Sequence, residues 1–357
     1  MSSAKLPKQC LYQNKIETSY ARCYNSSVAP TNTSDYNFGE TIKINIPTSY
    51  NTVMSAKDSM VKFNINISSA GSVAVANSSG IPGKCYFNRC GAYGAFQKIR
   101  IIHGGTLLSE WDNYNALLDM LVTSQLSSDI VRNKMDILAL TGDYTGASLI
   151  DDANDPYRKV LTSPGAADAL KAPADLTIPV CMPLVCMLSL SNNYIPLFAL
   201  TGSSIEIEFQ LVSSLLQVIN ANTRQPTAHS TKKFISDFEL VTNLMELSDT
   251  GMRVIADSIG NGPLQWVVQD YKSVSNTYTL GTTETTVSMS VSAKYNSLNS
   301  LFFTFRDSAN ASGVATFSAT ESLYYNLLEY YLRIGAKTIP YKPPNSIPEF
   351  LSEHLRA

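Results

Sequence analysis

The sequence predicts an all-β protein built as a sandwich or barrel, and three observations carry that expectation. Short segments repeatedly alternate apolar and polar residues, the period-two pattern of a strand with one face on a core and one in water. Turn residues punctuate these segments, and only one stretch has a convincing helical period. Charged residues make up 16% of the 357, against a typical ~25%. Hydrophobic residues are an ordinary 44%, so Ser, Thr, Asn and the 19 Tyr fill the gap. This composition is too apolar and too weakly charged for disorder, and too poor in Glu, Lys and Ala for a helical bundle.

Residues 1–38 read as a polar, irregular N-terminal arm. Lys5, Lys8, Lys15 and Arg22 face only Glu17 in its first thirty residues, which leaves it mildly basic. Strands begin with Ile42, Ile44 and Ile46, between Thr41, Lys43 and Asn45. The longest run follows: Val61, Phe63, Ile65 and Ile67 inward, Lys62, Asn64 and Asn66 outward. Residues 68–94 read as a loop, then 96–102 as a strand ended by Gly104-Gly105. The helix is expected from Trp111, Tyr114, Leu117, Leu118, Leu121 and Val122, with Ser109 as its N-cap and Asp112 in its first turn. Residues 141–176 form a second long loop. Strands resume over 176–185 and at Ile205, Ile207, Phe209 and Leu211, which alternate with Glu206, Glu208 and Gln210. Residues 217–233 read as a linker. Beyond it, 234–247, 265–280 and Val287/Met289/Val291 are strand candidates, and 301–305 and 327–334 are strand or short-helix candidates. An internal echo links 96–108, with Arg100 before Gly104, to 329–340, with Arg333 before Gly335.

Catalytic chemistry is not expected. The formal charge of −2 offers no global basic field for nucleic acid. The apolar stretch 178–190 contains Pro179, Pro183 and Ser189 and is too short to cross a bilayer as a helix. The first fifteen residues lack the apolar core of a secretory signal. Cys10, Cys23, Cys85, Cys90, Cys181 and Cys186 include two pairs with four intervening residues. Cys181 and Cys186 lie in an apolar run, so they read as buried thiols of a reducing compartment rather than zinc ligands. His103, His229 and His354 are scattered, with no nucleophile and acid grouped around any of them. Glu206 and Glu208 share one side of a strand, as a glycosidase acid and base would, but lack an aromatic platform for a sugar. No catalytic, cofactor-binding or metal residue is assigned, and no cofactor is expected.

One stretch carries a family resemblance. IPVCMPLVCMLSLSNNYIPLFALTGSSIEIEFQL, over 178–211, resembles the end of the first jelly roll in double jelly-roll major capsid proteins. These belong to tailless DNA viruses of the adenovirus, virophage, Polinton-like and large eukaryotic DNA virus lineage. Ile46-Pro47, the 96–115 segment, 298–307, and 330–340 with Arg333-Ile334-Gly335 and Ile339-Pro340 are similar to other parts of that pattern. The resemblance spans residues 40 to 340 and rests on the order and spacing of degenerate motifs.

The resemblance implies two jelly-roll sandwiches side by side, a double jelly roll, with one or two short helices. The expected divisions are the arm 1–38, a first jelly roll 39–216, the linker 217–233 and a second jelly roll 234–357. About 105 residues separate Gly105 from Leu211, whereas 22 follow Gly335. The second jelly roll is therefore expected to be incomplete, its last strands coming from a second polypeptide, a cleaved continuation or residues not included. The implied role is a major capsid protein that trimerises into pseudo-hexameric capsomers tiling an icosahedral shell around the genome. Implied partners are its own trimer mates, neighbouring capsomers, and vertex (penton) and minor capsid proteins. The loops 68–94 and 141–176 are the expected trimer contacts, and the arm is placed inside, weakly touching genome or an internal membrane. Location would be the virion, after synthesis in host cytoplasm or nucleus without secretion. The competing readings are a minor capsid or vertex jelly-roll protein and a lectin-like β-sandwich binding module.

Overall fold

A computed structural model describes residues 22–69, 85–141, 174–190, 194–200, 202–221, 227–259, 268–279, 281, 286–292, 297–307 and 326–356. The strands are β1 (Arg22–Val28), β2 (Thr41–Ile46), β3 (Thr52–Ser69), β4 (Cys85–Phe87), β5 (Phe96–His103), β6 (Thr106–Asp112), β7 (Ala174–Pro183), β8 (Ile195–Pro196), β9 (Ile205–Leu211), β10 (Ile219–Ala221), β11 (Thr227–Ala228), β12 (Ile235–Glu246), β13 (Leu332–Ile334) and β14 (Lys337–Ile339). Helix α1 covers Tyr114–Gln125. Two further helices, Asp249–Ile259 and Ile347–Arg356, lie late in the chain. The protein is all-β with a few short helices, as the alternation predicts.

Two sheets face each other. One has four strands in the order β2-β9-β5-β6. The other is built on β3, with β12 and β11 along one edge and β7 and β8 along the other, and β1 outside β12. The pairing is nested: β2 runs antiparallel to β9, while β3, the next strand, runs antiparallel to β7. A hairpin rolled onto a second hairpin in this way is the winding of a jelly roll. Phe63 of β3, Phe96 of β5, Phe209 of β9 and Phe238 of β12 meet in the middle, with centroids 5.3 to 6.3 Å apart. These offset and edge-on contacts join the two sheets into one core.

The expected inward set is buried. Val61, Phe63, Ile65 and Ile67 are at most 2% exposed, and Ile42, Ile44, Ile46, Ile205, Ile207, Phe209 and Leu211 are buried with them. Lys62 is exposed and Asn64 half-buried, but Asn66 does not face water. It is buried because the segment before β12 crosses over it: its Nδ2 donates to the Lys233 carbonyl and the Ser236 hydroxyl. The 96–103 strand ends in a two-residue hairpin, with Gly104 and Gly105 at φ 57° and 77°. Two successive positive φ values match the right-handed twist of the flanking strands and suit glycine. The internal echo survives as a second two-residue hairpin, in which Gly335, at φ 59°, joins β13 to β14.

Other expectations need correction. Ser109 is not the helix N-cap. Ser109 and Trp111 lie on β6, and α1 is preceded by Asn113 with a left-handed φ of 53°. The arm is not irregular throughout, since Arg22–Val28 is an edge strand on β12 and Tyr36 is buried, bridging to Ile235. Residues 217–233 are more than a linker. Val218 and Ile219 are fully buried, β10 pairs with β4, and β11 pairs with the end of β3. A two-residue apolar pair is too short to show a period, which hides it from pattern reading. Finally, β12 does not begin a separate sandwich. It is hydrogen-bonded along β3, and Phe234 and Phe238 are 3% exposed in the first core rather than on an open face. Residues 70–84 and 142–173 of the two expected loops, and Lys5, Lys8, Lys15 and Cys10, lie outside the described residues.

Candidate assembly surface

The outer face of the four-stranded sheet carries a ladder of charges set by strand register. Lys43 stands opposite Glu208, Arg100 opposite both Glu208 and Glu110, and Lys98 opposite Asp112. Directly opposed residues on one face are close enough for opposite charges to pair. Lys43 Nζ contacts Glu208 and lies 3.4 Å from Glu206. Arg100 Nε donates to Glu110 at 2.8 Å, and one of its terminal nitrogens is 3.7 Å from Glu208. Lys98 Nζ lies 3.1 Å from Glu110 and also contacts Asp112. The Arg100 hydrogen bond, helped by that of Lys98, holds the Glu110 carboxyl below the usual range. Hydrogen bonds from Lys43 to Glu208, and from Lys98 to Asp112, raise the two ammonium groups.

Glu206 and Glu208 are thus engaged by a lysine rather than offered to a substrate. The depression beside them, lined by Thr41, Lys98, Arg100, Glu208 and Gln210, is shallow and holds about 10 Å³, roughly the room one water needs. The ladder's effect is on stability. Glu110, with its lowered folded value, contributes stability that is present above the ordinary Glu range and lost as pH falls through that lowered value. In urea titrations across pH 3 to 7, Glu110→Gln is expected to cost under about 1 kcal/mol near neutrality, because the pairs are partly exposed. The difference should shrink on the acid side. A difference that stays constant with pH would show that the carboxylate charge plays no part.

The described histidines serve local contacts. His103 Nε2 is 3.0 Å from the Ser203 hydroxyl, at the glycine hairpin, and no carboxylate contact to His103 is seen among the described residues. His229 Nδ1 accepts from the backbone N–H groups of Thr231 and Lys232 and lies 3.7 Å from Asp175. Asp175 also accepts from Ser230, which pins the start of β7 to the segment before β12. The side chains of His354 and Cys85 lie outside the described residues. Cys23 is exposed, Cys181 half-buried, and Cys90 and Cys186 buried, and these four form no disulfide. Burial pushes the Cys186 thiol up to about 11, so it stays protonated and inert. Among the described residues, no group of three or more His, Cys, Asp and Glu is arranged to hold a metal.

The more distinctive surface lies after residue 268. Val287, Met289 and Val291 are 38–39% exposed, and Leu301, Phe303 and Phe305 are 40–53% exposed. Apolar alternation that would bury one face in a sheet is here turned to solvent. Phe303, Tyr330 and Phe350 form a small aromatic group, with Phe303 and Tyr330 centroids 5.0 Å apart. Among the described residues, contacts at two places fasten this region to the first sandwich. Asp270 Oδ1 accepts from Ser109 Oγ at 2.6 Å and from Trp111 Nε1 at 2.7 Å, and Tyr271 meets Trp111 edge-on at 5.2 Å. Arg306 reaches the Asn113 side-chain oxygen at 3.5 Å. Sequence reading missed both, because partners about 160 and 193 residues apart leave no local signal.

No protein-family model matches the chain, and neither does any curated protein. Solved structures do. The PBCV-1 virus capsid is 16% identical, with 66% of this chain and 45% of that chain covered and a TM-score of 0.37. The Faustovirus major capsid protein is 11% identical, with coverages of 68% and 57% and a TM-score of 0.40. A chain of the Sputnik virophage is 10% identical, with coverages of 70% and 53% and a TM-score of 0.41. The chain spans about half the length of these structures.

Proposed function

We propose that this chain is a structural capsid subunit of the double jelly-roll type, a non-enzymatic building block of a virion. The observation that carries the reading is the pair of apolar rows, 287–291 and 301–305, held out in solvent beside a closed jelly roll. Rows of exposed apolar side chains of this kind favour burial against another subunit. Glu206, Glu208, His103 and His229 are taken up by internal contacts, which supports a mechanical role over a catalytic one. In this reading three copies form a capsomer, and capsomers tile a shell with vertex and minor proteins at its special positions. The arm ahead of Arg22 faces inward, where its lysines make weak, salt-sensitive contacts.

Light scattering on purified protein should give three times the chain mass, and negative-stain images should show flat trimeric plates. Phe303→Ser should lower the trimer fraction while leaving the circular dichroism of the sandwich unchanged. Dispersed monomers at micromolar concentration, with Phe303 still exposed, would refute the assembly reading.

A further inference from the structure

The Asp270 contact is more specific than a surface hydrogen bond. Ser109 and Trp111 are two residues apart on β6, so they share a face of the last strand in the four-stranded sheet. Both are buried, at 5% and 1% exposure. Their donors converge on one oxygen, Asp270 Oδ1. An indole N–H can only donate, and one buried beneath a sheet edge is costly without an acceptor. Asp270 itself is exposed, so one oxygen reaches in while the residue stays at the surface. Val268 and Tyr271, on either side, pack against the core. At the far end, Arg306 is drawn toward α1 by Asn113 and by the charge of Asp119.

We propose that Ser109 and Trp111 form a carboxylate receptor on the first sandwich, that residues 268–279 are a strap whose Asp270 fills it, and that Arg306, within 297–307, is a second anchor at Asn113 beside the start of α1. The partner this receptor fits is an acidic side chain on an extended segment, and its occupant is Asp270 of the same chain. Two neutral donors on one carboxylate oxygen make charge-assisted bonds, stronger than the same donors would make to an amide. The two anchors lie on either side of the exposed row at 287–291, and Arg306 adjoins the row at 301–305. The clasp therefore sets where those rows stand relative to the sandwich. The inference stands whether or not the chain builds a capsid, since its test reads the attachment within one chain.

The full chain carrying Trp266→Phe leaves Trp111 as its single tryptophan. In that background Asp270→Ala should red-shift Trp111 emission. It should also speed trypsin cleavage after Lys272 by roughly ten- to a hundred-fold, the population shift expected when charge-assisted bonds to buried donors are lost. Asp270→Asn, which keeps one carbonyl oxygen, should fall between. Ser109→Ala removes one donor and leaves the aspartate in place, so a partial effect with unchanged melting would separate strap release from unfolding. Wild-type emission and wild-type cleavage in Asp270→Ala would overturn the proposal. If Asp270→Ala instead lowered the mass in solution, and Trp111 emission in the parent depended on protein concentration, the acid would come from a second copy and the same-chain assignment would fall.

Discussion

Gly91→Ala is expected to destabilise the protein by roughly 3 kcal/mol or more, as read from urea unfolding, and to leave little folded protein at 37 °C. Gly91 opens the short 3-10 turn Gly91–Ala95 with a φ of 59°. Its backbone presses against the 139–140 peptide. A Cβ built there falls 2.1 Å from the Ala139 carbonyl oxygen and 2.5 Å from the Leu140 carbonyl carbon. Those neighbours are backbone atoms, so no side chain can swing away. The turn itself is fully buried and tied down on both sides. Gly91 N–H donates to Asn88, and Asn88 Nδ2 donates to the Gln217 carbonyl. Gly105 is the control: a Cβ there meets nothing within 4 Å, so Gly105→Ala should cost only its left-handed strain, about 1–2 kcal/mol.

Phe238→Ala should cost about 3–5 kcal/mol, the usual range for emptying a buried phenylalanine site. The more telling result is which transition moves. Phe238 lies on β12 and stacks on Phe63 of β3 at 5.6 Å, with Phe209 at 5.7 Å and Phe96 at 6.3 Å. Because those rings belong to the first sandwich, Phe238→Ala and Phe63→Ala should shift the same unfolding step in differential scanning calorimetry. Their combined effect should depart from additivity by more than ~0.5 kcal/mol, as expected for residues in contact. Had β12 opened a second domain, the two substitutions would move separate steps and add.

How much of this was legible in the sequence depends on the range of each interaction. The inward faces of β2, β3 and β9 follow from alternation alone, because a one-residue slip would turn Ile42, Val61 or Ile207 to water. The glycine hairpin after β5 was legible for the same local reason. Alternation says which face of a strand is buried, but not against which strand it pairs. That is why alternation alone assigns 234–247 to a new domain, although it completes the sheet of β3. Asn66 looked solvent-facing because its partners, Lys233 and Ser236, are 167 and 170 residues away. Ser109 looked like a helix cap because serine suits both a cap and an edge strand. Only Asp270, 161 residues on, reveals its role. At the outer ladder the charges were visible, but their pairing needed the register of β2, β9, β5 and β6.

The position of β12 between β1 and β3 also imposes an order on synthesis. Among the described residues, strand β1 touches its sheet only through β12, and Ser26 accepts from Thr242 across 216 residues of chain. At ~5–20 residues per second, a ribosome takes roughly ten to forty seconds to make the intervening length. Throughout that interval the seven residues of β1 have no ladder to join, and an unpaired strand is a template for sticking to neighbours. Its composition, RCYNSSV, meets the hazard: four of the seven are Arg, Asn and Ser, so the nascent segment stays hydrated while it waits. The first described strand of the chain is thus among the last to find its place.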